Sequence, residues 1–183
     1  NLHPWMTVIT NVEEDHLDHY QDLDAIRNAF IDFVKLPGES GVAVLNYDCP
    51  ETRQLAQYAA GKVVSYGMAD DAQVRGANVR QEQGESLVDV YQHGQLLGTL
   101  RLHVPGMHNI SNALAAVAAG LEIGMTFDEL AAGLKEFGGA RRRFQLLGVV
   151  QNIQIIDDYA HHPTEVAATI EAAKGVHDGR VVA

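Results

Sequence analysis

The sequence predicts an α/β fold: a mostly parallel sheet with flanking helices and a small antiparallel β meander, followed by the start of a second, Rossmann-like α/β domain. Three observations predict it. Short apolar runs alternate with helix-period segments from Thr7 to Gly67, the pattern of a parallel sheet with right-handed crossovers. From about Ala72 the spacing changes to period two, which suits antiparallel strands. After Gly138-Gly139 a new strand-and-helix pattern begins.

Taken in order, "TVIT" (Thr7 to Thr10) is a β-branched run that predicts a buried strand ending at Asn11. In "LDAIRNAFIDFVKL" the residues Leu23, Ile26, Phe30, Phe33 and Val34 recur at helical spacing, and Pro37-Gly38 closes the helix. "GVAVLNYD" predicts a second strand, "PETRQLAQYAA" a helix with Pro50 in its first turn, and "KVVSYG" a third strand. "AQVRGANVRQ", "SLVDVYQHG" and "QLLGTLRLHVPG" form the meander, separated by "QEQGE" and "HGQ". The Ala-rich "HNISNALAAVAAGLEIG" predicts a helix stopped by Gly124. "TFDELAAGLKEF" follows with a capping box, Thr126 and Glu129. Beyond the Gly-Gly break come strands "FQLLGVV" and "IQIIDDY", a helix from about Pro163 to Lys174, and the opening of another strand in "RVVA".

At 183 residues the chain holds one domain, or one plus part of another. The expected boundary divides 1–137 from 138–183. Both ends read as cut, since a strand begins almost at once and another is entered at "GRVVA"; a longer parent is expected. The composition, 46% hydrophobic and 20% charged, is that of a globular protein. No apolar run approaches the roughly 20 residues of a membrane span, and no secretory signal is visible. The single Cys49 excludes an internal disulfide and fits a reducing, cytoplasmic setting. A net charge of −11 argues against nucleic-acid and membrane partners, which select clustered Lys and Arg. It leaves room for an anionic small ligand, because Arg141-Arg142-Arg143 is a local basic cluster.

Four polar groupings stand at strand ends or helix starts, where an α/β fold builds its sites. In "NVEEDHLDHY", His16 between Asp15 and Asp18 offers a metal ligand or a phosphate contact; the alternative is a solvated acidic approach to a helix capped by Asp22 or Asp24. Mg²⁺ prefers oxygen, so a histidine ligand would be a minority case. In "GMHNISNALAA", Asn109 and Asn112 share one helix face. Their paired donor and acceptor suit the N6/N7 edge of adenine, although one asparagine could serve only as a cap. In "GGARRRFQ" the guanidinium fork suits a phosphate, against a solvated basic turn. In "DDYAHHPTE", Asp157 or Asp158 could hold ribose hydroxyls and His161 a phosphate, while His162 or Thr164 could simply cap the next helix. The sequence has no G-x-x-x-x-G-K-[ST] loop, since Gly61-Lys62 runs into a strand, and no G-x-S-x-G elbow; Cys49 has no evident base. A serine or cysteine hydrolase is therefore not expected.

"TNVEEDHLDHY", "GMHNISNALAA", "RRRFQ" and "DDYAHHPTE", in this order and over essentially the whole chain, resemble the Mur ligase family, the ATP-dependent amide ligases of bacterial cell-wall synthesis. The last motif is most similar to the member that acts on UDP-N-acetylmuramate and L-alanine. The resemblance implies a parent of three domains, with this chain holding the later part of the central ATPase domain and the beginning of the C-terminal domain. The phosphate loop would precede Asn1. By the same resemblance, His16 helps hold a Mg²⁺ near the γ-phosphate, and Asn112 with Asn109 meets the adenine. Arg143 (or Arg142, the run being longer than the usual pair) contacts the ATP phosphates. Asp158 meets the ribose, and Tyr159 and His161 neighbour the nucleotide. The implied chemistry is carboxylate phosphorylation by ATP, then attack by an amine, with Mg²⁺ and arginine offsetting charge. The isolated chain is expected to be inactive.

Other readings remain open at this level. A murein-peptide recycling ligase or a folylpolyglutamate synthase relative would share the family. A metal-dependent hydrolase could use His16, Asp18, Asp158 and His161. A non-catalytic α/β module would reduce every grouping to caps and turns. Oligomeric state is not legible.

Overall fold

A computed structural model describes residues 2–82, 85–177 and 179–183. Strands β1 (Met6–Ile9), β2 (Val42–Asn46) and β3 (Lys62–Gly67) are separated by helices α1 (Leu23–Lys35) and α2 (Pro50–Leu55), the latter continued by a 3₁₀ turn. Strands β4 (Val74–Glu82), β5 (Glu85–Gln92) and β6 (Gln95–Leu102) follow, then helices α3 (Met107–Glu122) and α4 (Phe127–Glu136). Strands β7 (Gln145–Val150) and β8 (Ile153–Asp157) precede helix α5 (Pro163–Val176).

The meander is not a separate body. Strands β1 to β6 form one six-stranded sheet in sequence order. β1, β2 and β3 pair in parallel, and β4 joins β3 in parallel over only Tyr66↔Val74 and Gly67↔Arg75. From there β4, β5 and β6 run antiparallel. The Gln83-Gly84 part of the expected "QEQGE" turn lies outside the described residues.

Burial on both faces explains why β2 reads as a continuous apolar run. Val42 and Val44 join Leu114 and Val117 of α3, while Ala43 and Leu45 join Ile26 and Val34 of α1 and Leu55 of α2. The result is three layers, with α1 and α2 on one face and α3 and α4 on the other. Caps follow the sequence signals: Asp22 accepts from the Ala25 amide, and Thr126 and Glu129 form the capping box. Gly124 ends α3 with a φ of 89°.

Beyond Glu136 the chain passes Gly138 and Gly139, the latter at φ 95°, and enters a two-stranded antiparallel ribbon. Gln151 and Asn152, at φ 49° and 63°, make its turn, as a two-residue hairpin requires. Helix α5 lies against the start of α3, where a Cβ on Gly106 would come within 3.1 Å of the Ala172 methyl. The expected strand in "RVVA" does not form: residues 179–183 have no regular structure and Val182 is exposed. No described strand offers it a ladder, so its apolar pattern has nothing to pair with. No helix among the described residues is long and apolar enough to cross a membrane.

Candidate nucleotide-binding cleft

The carboxyl ends of β1 and β2, the start of α3 and the approach to α5 surround a cleft of about 1000 Å³. All four polar groupings contribute to it: His16, Asn109, Asn112, Arg143 and Asp158 are among its lining residues. Their sequence separation hides this proximity.

His16 sits at φ 54° in the loop after β1, its side chain exposed. Asp15 Oδ1 accepts the His16 amide at 2.7 Å. That bond holds the Asp15 carboxyl below its ordinary value, with nearby histidines adding to the effect. Neither asparagine caps α3, whose N-cap is Gly106. Asn109 Nδ2 instead donates to the Pro105 carbonyl at 2.7 Å, and Asn112 lies exposed in the cleft.

Asp158 is committed to backbone. Its Oδ2 accepts from the Phe144 amide at 2.8 Å and its Oδ1 from the Ala160 amide at 2.7 Å. The carboxylate thus fastens the arginine turn to the loop before α5, and each oxygen retains capacity for one more donor. Within the triple arginine the side chains part. Arg143 lines the cleft, with Glu165 Oε1 3.6 Å away. Arg142 stacks on the Tyr159 ring at 4.5 Å and faces Asp157 at 3.7 Å. Arg142, Tyr159 and His161 are not among the cleft's lining residues; His161 Nδ1 bonds the Tyr159 carbonyl at 2.9 Å. His162 caps α5, as the plainer sequence reading allowed.

Sequence reasoning noted His108 only as a neighbour of the asparagine pair and passed over Asn46. Burial pushes the His108 imidazole below its ordinary value, Asp158 opposes and Arg143 reinforces. Asn46, buried at the end of β2, donates to the Thr10 carbonyl at 2.8 Å and to Ser111 Oγ at 3.4 Å, joining β1 to α3. A polar residue closing an apolar strand was the signal that could have found it. Cys49 sits at the start of α2, and Lys62 pairs with Glu122 at 2.8 Å. Neither has the surroundings of a nucleophile or a phosphate loop.

Glu165 Oε2 accepts from the His161 amide at 3.2 Å. The His161 amide depresses its carboxyl, burial opposes, and the His162 amide and Arg143 add to the depression. A depressed carboxyl stabilises the fold above its ordinary value of 4.5 and loses that contribution as pH falls through the lowered folded value. Glu165→Gln is therefore expected to lower the urea midpoint at neutral pH. The gap to wild type should narrow as pH falls below 4.5 and through the lowered folded value; a constant gap would assign the loss to packing.

Among the described residues no group of three or more His, Cys, Asp or Glu is arranged to hold a metal. A hydrolase metal built from His16, Asp18, Asp158 and His161 has no such cage. Mg²⁺ that arrives on a nucleotide needs only one or two protein ligands beside the phosphates, and an exposed His16 beside Asp15 fits that lesser demand.

A parallel sheet with a polar cleft at its carboxyl strand ends is where an α/β protein builds a ligand site, and here Arg143 stands on one bank and the start of α3 on the other. Residues 1–120 match the Mur ligase middle domain, and residues 142–183 match the Mur ligase glutamate ligase domain. The chain belongs to the Mur ligase family. It is 48% identical over its full length to the UDP-N-acetylmuramate–L-alanine ligase of Salinibacter ruber and 46% identical over 99% of its length to that of Pelotomaculum thermopropionicum. It spans 38% and 40% of those relatives. Among solved structures, UDP-N-acetylmuramate-alanine ligase MurC from Thermotoga maritima superposes with a TM-score of 0.80 at 29% identity, over 97% of this chain and 40% of that one. MurF ligase from Thermotoga maritima in complex with ADP shares the fold, with a TM-score of 0.78 at 21% identity, over 92% of this chain and 39% of that one.

Proposed function

We propose that this chain is part of an ATP-dependent ligase that joins L-alanine to UDP-N-acetylmuramate in cytoplasmic peptidoglycan precursor synthesis. Residues 1–137 then form the later part of its central ATP-binding domain and 138–183 the beginning of its C-terminal domain. The observation that carries the reading is the convergence of His16, Asn112, Arg143 and Asp158, from four separate stretches, on one cleft.

In this reading ATP lies with its base toward Asn109 and Asn112 and its phosphates between His16 and Arg143. Asn112 presents a free amide to the base, while Asn109 is braced on Pro105. Asp158 keeps the arginine turn in place and has lone pairs left for the ribose. His16 would hold Mg²⁺, which would supply positive charge to offset the phosphates. Arg143 neutralises the γ-phosphoryl group as it leaves ADP for the substrate carboxylate, and the alanine amine then attacks the resulting acyl phosphate, forming the amide and releasing phosphate. Tyr159, stacked under Arg142, and His161 border the nucleotide side from outside the cleft wall.

The test is phosphate release by the full-length parent with UDP-N-acetylmuramate, ATP and Mg²⁺, with and without L-alanine. Alanine-dependent release is expected; release that ignores alanine would overturn the reading and favour the murein-peptide recycling ligase. The Gly138-Gly139 link offers a further check. A Cβ on Gly138 meets nothing within 4 Å, so there is open space on the side-chain side for Gly138→Pro, which fixes φ and stiffens the link. Lower turnover is expected if closure about this link precedes chemistry; unchanged kcat would place the hinge elsewhere.

A further inference from the structure

His162 has two jobs that pull in opposite directions across the cleft. Its Nδ1 accepts from the Thr164 amide at 3.4 Å, capping α5. Its Nε2 lies 3.0 Å from the carbonyl oxygen of Glu14, far away in sequence. A carbonyl can only accept, so Nε2 carries the hydrogen and Nδ1 keeps its lone pair; one neutral tautomer satisfies both contacts. The Glu13 carboxylate stands 3.5 Å from Nδ1, and the imidazole is largely enclosed.

What the two ends reach gives the contact its meaning. Glu14 is followed directly by Asp15 and His16, and the Asp15 side chain is locked to the His16 amide. Three residues beyond the capping His162, Glu165 accepts from the His161 and His162 amides that lead into the helix and faces Arg143 at 3.6 Å. The imidazole therefore connects the loop that presents His16 to the helix turn that faces Arg143, one group on each bank.

We propose that His162 is a positioning residue that sets the register of the His16 loop against the Arg143 side of the cleft. The inference rests on the functional reading above for its kinetic consequence and on the geometry alone for its structural one.

The test separates cap from link in the full-length parent. His162→Asn retains an N-cap of high rank but is too short to reach Glu14, whereas His162→Ala removes both. Hydrogen exchange without substrates is expected to quicken across Glu13–His16 in the Asn variant by about fivefold, the factor one hydrogen bond carries. In α5 the first-turn amides should stay at wild-type rates in the Asn variant and quicken only in the Ala variant. With substrates, kcat should fall by about tenfold or more through misplacement of a phosphate-end group. The KM for ATP should stay within about threefold, because the base-facing asparagines are not tethered to His162. Wild-type exchange or wild-type kcat in the Asn variant would overturn the proposal and leave His162 as a cap. Exchange needs no turnover, so a parent lacking alanine-dependent activity would refute the functional reading and leave the link still measured.

Discussion

Replacing Arg143 by alanine in the full-length parent is expected to cut kcat by about 10²- to 10³-fold, the loss typical of removing one preorganised charge donor from a transition state. Arg143 lines the cleft and is ion-paired with Glu165 at 3.6 Å, both side chains partly exposed, so the pairing orients the guanidinium while leaving it open to the cleft. Lysine should restore part of the loss, since it returns the charge but not the two-pronged fork. Arg142→Ala should cost less than tenfold by the same reasoning, because its side chain is stacked on Tyr159 and turned toward Asp157. Steady-state kcat and KM for the three variants check the order. A larger loss at Arg142 would move the phosphate contact there.

Gly61→Ala is expected to destabilise the fold by about 3 kcal/mol, the upper end of the range for overpacking. A Cβ at Gly61 would lie 2.6 Å from the Gly38 carbonyl oxygen, 3.0 Å from that of Glu39, and closer still to that of Gly41. All three are backbone atoms, which cannot swing aside as a side-chain end could. The Gly41 carbonyl is in turn held by the Lys62 amide at 3.0 Å, and the Val42 amide bonds Trp5. Relief therefore means breaking the entry to β2 and β3. Gly38→Ala should be milder, about 1–2 kcal/mol, since space is open there and only its φ of 69° is strained. Urea midpoints at constant m-value would measure both. These glycines precede β2 and β3, at the end of the sheet away from the cleft, so KM for ATP should not change in the protein that remains folded.

The elements of the sheet were legible because each is local. Period-two and period-3.6 spacing, the Thr126–Glu129 box and the Pro50 start act within a few residues, and each appears where its signal stands. "RVVA" had the same local signal without a neighbouring strand, and pattern alone cannot supply a ladder.

The candidate site was legible as residue types in order: a histidine among acids, paired asparagines, arginines, and a polar strand end. What the sequence by itself determined was this inventory and the family it resembles. Only the tertiary structure decided which member of each group faces the cleft. Arg143 enters it while Arg142 stacks outside, Asp158 turns to backbone amides, and Asn46 and His162 reach across to Thr10 and Glu14. The reason is physical. A side chain's direction depends on left-handed turns such as those at Arg142 and Phe144, with φ of 57° and 50°, and on hydrogen bonds between segments far apart in the chain. Neither leaves a periodic trace in the order of residues.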